Sequence, residues 1–118
     1  MKKFLALYMG TMDGFARAGW DKMDEAARKA HQKKGFDAWV AWQKDHGVSI
    51  VDEGAPIGKT KRADPEGIAD MRNAVTGYVI VEAEDHAAAA RMFENHPHFA
   101  IFPGDSVEIM EILPMPPM

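Results

Sequence analysis

The stretch that most constrains the fold is the C-terminal run from Thr76 to Met118, TGYVIVEAEDHAAAARMFENHPHFAIFPGDSVEIMEILPMPPM. It reads as strand, helix, loop, strand. Val79 to Val81 is a β-branched run between Gly77 and the acids that follow, a composition suited to a buried strand. Asp85 is placed to cap an alanine-rich helix, because its carboxylate can accept from the orphan amides of the first turn. On that helix Ala89, Met92 and Phe93 share one face, while Arg91 and Glu94 point away. Pro97 is expected to end it, since the residue before a proline avoids the α region. Val107, Ile109 and Glu111 then alternate with Glu108, Met110 and Ile112, which is the period of a strand. Strand, crossover helix and strand at this spacing require a sheet with a helix on one face.

Upstream, Phe4, Ala6 and Tyr8 alternate with Leu5, Leu7 and Met9, so this strand is apolar on both faces and belongs inside the sheet. Gly10 to Gly19 reads as a glycine-rich loop. Asp21 or Asp24 can start a helix with Met23, Ala26, Ala27 and Ala30 on one face, which Gly35 kinks or divides. The helical period resumes through Phe36, Trp39, Val40 and Gln43 and stops near Gly47. Val48 to Val51 is expected as the second strand, and Asp52 to Gly58 as turn material. Lys59 to Ala63 suits a short edge strand, its cations Lys59, Lys61 and Arg62 discouraging edge pairing. Asp64 to Asn73 is expected as a loop or short helix opened by Pro65.

This order is that of an α+β, ferredoxin-like βαββαβ domain: a four-stranded antiparallel sheet with both helices on one face. The other face would stay bare and carry several apolar side chains, too many to leave in water. A second copy placed sheet to sheet, a twofold homodimer, is the expected remedy. Burying roughly 600 Å² of apolar surface per subunit would contribute about 15 kcal/mol before association costs. The proline-broken tail Ile112–Met118 is expected to lie across the partner.

With 118 residues the chain forms one domain. Its net charge of −4 argues against nucleic acid, which calls for a basic face. The absence of cysteine excludes disulfides, thiolate metal sites and thiol nucleophiles. The apolar run near the N-terminus stops at Met9, far short of the ~20 residues of a membrane span, and lacks a cleavage site. A cytoplasmic, membrane-free location is expected.

The segments GYVIVEAEDHAAAARMFENHPH and GDSVEIMEILPM, with AWVAWQKDHG leading into VDEGAPIGKT and Asn73 shortly before TGY, resemble the YCII-related proteins, in the branch called DGPF-domain proteins. The resemblance spans residues 35 to 115 and implies a dimeric α/β barrel. It implies little about a reaction, because most members have no assigned activity. Where members have been read as enzymes, a His–Asp pair near the cleft carries the proposal, the histidine lying on the first long helix. The family's count back from the turn glycine, here Gly54, lands on Asp37, with His31 and His46 out of register on either side. No catalytic residue is therefore carried over.

The remaining candidates come from the residues themselves. His96 and His98 flank Pro97. An HxH pair can hold a metal if a third ligand such as Asp105 joins it, or it can move protons at a cleft mouth. A structural or solvated role is the leading reading of the pair, and if it does chemistry, proton transfer is preferred over metal binding; neither a metal nor an organic cofactor is expected. Trp39 and Trp42, three apart, are core residues or an aromatic wall for a planar ligand. Tyr8 and Tyr78 are strand tyrosines able to orient a ligand. Asp52, beside Glu53, is a turn residue or a general base at a strand end. Neither serine, Ser49 or Ser106, lies in a nucleophile elbow, and the glycines form no phosphate loop. The expected function is binding or transforming a small molecule in a pocket between sheet and helices. The alternative is a non-catalytic regulatory or dimerisation module for another protein.

Overall fold

Alternation along the first strand decides where everything else packs. In the computed structural model, which describes residues 1–116, Phe4, Ala6 and Tyr8 are buried while Leu5, Leu7 and Met9 on the opposite face are only half-buried. The six strands are β1 (Lys2–Met9), β2 (Ile50–Pro56), β3 (Thr60–Asp64), β4 (Gly67–Met71), β5 (Val75–Ala83) and β6 (Ser106–Glu111). Four of them form an antiparallel sheet in the order β2-β5-β1-β6, consistent with the ferredoxin-like arrangement, and β3 with β4 forms a separate hairpin. Phe4 pairs with Val81 and Ala6 with both Val79 and Ile109, so these side chains share one face.

The helices are α1 (Met12–Arg17), α2 (Glu25–Asp45), α3 (His86–Arg91) and α4 (Pro97–Ala100). Trp42 from α2, Ala89 from α3 and Phe93 just beyond it close over Phe4, Val79 and Val81 to make the core. Asp24 and Asp85 cap α2 and α3 by accepting from Ala27 N and Ala88 N, each at 2.7 Å. Among the described residues no helix is long and apolar enough to cross a membrane.

Several expectations are corrected, some of them by contacts distant in sequence. Gly10 to Gly19 is not all loop: Thr11 caps α1 by accepting from Gly14 N at 3.2 Å, and the missing Cβ of Gly14 admits the Asp105 carboxylate. Gly35 does not divide α2, which runs unbroken from Glu25 to Asp45, and the ring of Phe102 occupies the space its Cβ would take. The second strand starts at Ile50 rather than Val48 and continues through the segment expected as a turn. It passes two register shifts, and Gly54 at φ 69° lets the chain bulge against the Tyr78 carbonyl. Asp64 to Asn73 is no helix. Pro65 lies in the turn of the β3–β4 hairpin, where the Asp64 carboxylate accepts from Glu66 N at 2.9 Å. Pro97 begins α4 rather than ending α3, which stops six residues earlier at Arg91, before left-handed Asn95.

By register the uncovered face of the sheet carries Leu5, Leu7, Tyr78, Ile80 and Met110. At the C-terminus Ile112 N donates to Lys3 O at 2.9 Å; Pro117 and Met118, the end of the tail expected on a partner, lie outside the described residues.

Gly35→Ala tests the helix packing. Alanine is the better helix former, yet its Cβ would lie 2.5 Å from the Phe102 ring. Urea unfolding is expected to show a loss of about 1–3 kcal/mol from overpacking, partly recovered by adding Phe102→Leu. A raised midpoint in the single variant would contradict this packing.

Candidate functional site

α4 is one turn long, and its placement sets the site. His96 caps it: Nδ1 accepts from His98 N at 3.0 Å. That acceptance leaves the ring proton on Nε2, which faces the Tyr8 hydroxyl at 3.4 Å. His96 is fully buried, and burial, with smaller contributions from His98 and His46, pushes its pKa down to about 3. It is a neutral imidazole at any physiological pH. Its edge meets the Trp39 ring at 4.5 Å and the Trp42 ring at 4.6 Å between centroids.

His98 is the second buried imidazole. Its Nε2–H donates to the carbonyl of Met9 at 2.7 Å. Burial lowers its pKa, outweighing the opposing effects of the Met9 hydrogen bond and of Asp105, so it too is neutral near pH 7. With Nε2 committed as donor, Nδ1 carries the lone pair and has no protein partner. No sealed, unpartnered side-chain nitrogen or oxygen occurs among the described residues, so this Nδ1 reaches solvent. Gly104 is needed here, since a Cβ would stand 2.3 Å from His98 Nε2. Burial raises the pKa of the Tyr8 phenol, which stays protonated and available as a donor.

Tyr8, Trp39 and His98 open onto a cleft of about 1110 Å³ between the sheet and the helices. Phe15, Phe36 and Phe102 extend its aromatic wall, and Glu53, Arg72 and Asn73 stand on the strand side. One wall is α1, tied down at both ends through Asp105. Its carboxylate accepts from Thr11 Oγ1 at 2.7 Å and pairs with Arg17. A flat aromatic surface beside a neutral base and a phenolic donor can hold a planar molecule and move a proton on it.

The structure brings Tyr8, Trp39, Trp42, His96 and His98 together and separates Asp52 and Tyr78 from the imidazoles. Trp42 is a core residue whose indole donates to Met92 O at 2.8 Å. Asp52 is exposed and accepts from Gly54 N at 2.8 Å, holding the β2 bulge. Tyr78 pairs with Leu7, which turns its side chain toward the uncovered face, while its strand position borders the cleft. Asp37 is exposed and bridges to Lys33 at 2.8 Å. Asp105 is engaged by Thr11 and Arg17, and among the described residues no three His, Asp or Glu side chains converge to hold a metal. Phe15, Arg72 and Phe102 were not legible as site residues. Phe15 lies in the segment that resembles a loop, and the other two reach the cleft only through tertiary packing.

No protein-family model matches the chain, and no curated protein does. Among solved structures, the 5-chloro-2-hydroxyhydroquinone dehydrochlorinase TftG from Burkholderia phenoliruptrix AC1100, in complex with 2,5-dihydroxybenzoquinone, is similar. The TM-score is 0.52 at 16% identity, covering 92% of this chain and 90% of that one. At this identity the likeness shows a shared fold, an α+β architecture with an antiparallel sheet.

The depressed histidines give a stability signature. A pKa lowered in the folded state means the unfolded chain binds more protons, so the stabilisation is complete above about pH 6.5 and lost as pH falls toward 3. His96→Asn keeps a capping acceptor but removes the titration. Urea unfolding at pH 7.5 and 4.5 is expected to show the parent losing more stability than the variant, by an amount of order 1–3 kcal/mol. Equal losses would show that His96 is not held neutral by the fold.

Proposed function

We propose that this chain binds and transforms a small, planar, hydroxylated molecule in the cleft between sheet and helices. The carrying observation is His98: a neutral imidazole that lines the aromatic-walled cleft, with one nitrogen pinned to the Met9 carbonyl and the other without a protein partner. In this reading Trp39 stacks on the ligand ring, His98 Nδ1 accepts the proton of a ligand hydroxyl, and the Tyr8 phenol donates to a developing oxyanion. His96 acts through Tyr8 as a positioning residue. The similar structure is a complex with 2,5-dihydroxybenzoquinone, which supports a planar oxygenated ring as the kind of ligand such a cleft takes.

The test is hydroquinone binding, followed by tryptophan fluorescence. His98→Gln retains an amide donor for the Met9 carbonyl and removes the base. It is expected to weaken binding about ten- to a hundredfold, the value of one hydrogen bond to a group that becomes charged. An unchanged affinity would sink the assignment of His98.

A binding role without chemistry is favoured by one observation. The position to which the family histidine counts is Asp37, exposed and tied to Lys33. Hydroquinone that binds and is recovered unchanged, without exchange of its ring protons in heavy water, would decide for that reading.

The proposal includes membership of the YCII-related proteins and a homodimer through the uncovered sheet face. Leu5, Leu7 and Ile80 on that face support a partner with the same apolar surface. Native mass spectrometry is expected to show a dimer for the parent chain and a monomer for Leu7→Glu. A monomeric parent at micromolar concentration would overturn the dimer.

A further inference from the structure

The cleft continues past its strand-side rim. A second concavity of about 840 Å³ lies at the root of the β3–β4 hairpin, and Arg72 and Asn73 line both spaces. Asn73 is fixed there: Oδ1 accepts from Val75 N at 3.0 Å and Nδ2 donates to Thr60 Oγ1 at 3.3 Å. The charged groups of this annex are Lys59, Lys61, Arg72 and Asp70. Asp70 is taken by Lys61 at 2.6 Å, which leaves Lys59 and Arg72 without an ion pair among the described residues. The cleft itself contributes one acid, Glu53, which is not paired with either of them. In a chain of net charge −4, a concavity with two unpaired cations is a local reversal of sign.

We propose that this annex is an anion subsite and that the ligand of the cleft is a hydroxylated aromatic acid. The proposal rests on the reading of the cleft given above and adds the second end of the ligand. The ring lies on Trp39 with a hydroxyl at His98, and the carboxylate reaches Arg72, whose planar fork matches two carboxylate oxygens. Lys59 supplies the surrounding positive field, and Asn73 holds the rim between the two spaces.

The experiment compares hydroquinone with gentisate, the same ring bearing a carboxylate, by calorimetric titration of the full chain and of Arg72→Met and Arg72→Lys. Gentisate is expected to bind about tenfold more tightly than hydroquinone to the parent chain, a preference that falls in high salt. Arg72→Met should abolish the preference by weakening gentisate alone, and Arg72→Lys should retain part of it. Equal affinity of the two compounds for the parent chain overturns the anion subsite and leaves the cleft reading standing. So does an Arg72→Met variant that weakens both compounds equally, since that marks Arg72 as structural. Binding of neither compound overturns the cleft reading, and the subsite with it.

Discussion

The carbonyl of Met9, at the end of the interior strand β1, accepts two hydrogen bonds, from His98 Nε2 at 2.7 Å and from Asp105 N at 2.9 Å. A carbonyl oxygen has two lone pairs, and here both are used by segments nearly a hundred residues away in sequence. The first bond orients an imidazole. The second fixes the residue whose side chain holds α1 at Thr11 and Arg17. One strand end thus positions an imidazole on one side of the cleft and a wall on another. The position of Met9 is itself set by the pairing of β1 with both neighbours, so the site inherits its geometry from one of the two interior strands of the sheet.

The two histidines have the same spacing to Pro97 and opposite uses. His96 directs both nitrogens inward, one to the helix it caps and one to Tyr8. His98 directs one nitrogen to backbone and leaves the other free. Removing His96 would disturb α4 and Tyr8 together, whereas removing the Nδ1 function of His98 changes only what the cleft can accept. The Thr11–Arg17–Asp105 cluster is of a third kind. Its arginine is largely exposed, so it contributes little stability and acts chiefly by fixing where α1 sits.

The sheet was legible because its signal is local. Alternation in Lys2–Met9 and Ser106–Glu111 and the β-branched run at Val79–Val81 survive any tertiary context, and the capping aspartates Asp24 and Asp85 act on their own helices. What was not legible depends on partners far along the chain. Gly35 looks like a helix breaker until the Phe102 ring is seen against it, and Gly14 like a loop residue until Asp105 arrives. DEGAP has turn composition, yet β5 offers it a ladder, and one left-handed glycine absorbs the misfit. The site shows the same division. His96, His98 and Trp39 stand out by residue type, while Phe15, Arg72 and Phe102 become neighbours only when the helices close.

Burial therefore fixes the chemistry available to the cleft. A histidine in water is half charged near pH 6.5, and a charged His98 would offer two donors and no acceptor. Burial against the aromatic wall lowers its pKa, and the Met9 carbonyl selects the tautomer whose lone pair remains open. The same burial keeps Tyr8 protonated. An acceptor and a donor are thus both available at neutral pH from two uncharged side chains, which suits a weakly acidic hydroxyl whose charge develops only during proton transfer. A preformed imidazolium would favour a ligand already ionised; a neutral one favours a ligand still carrying its proton.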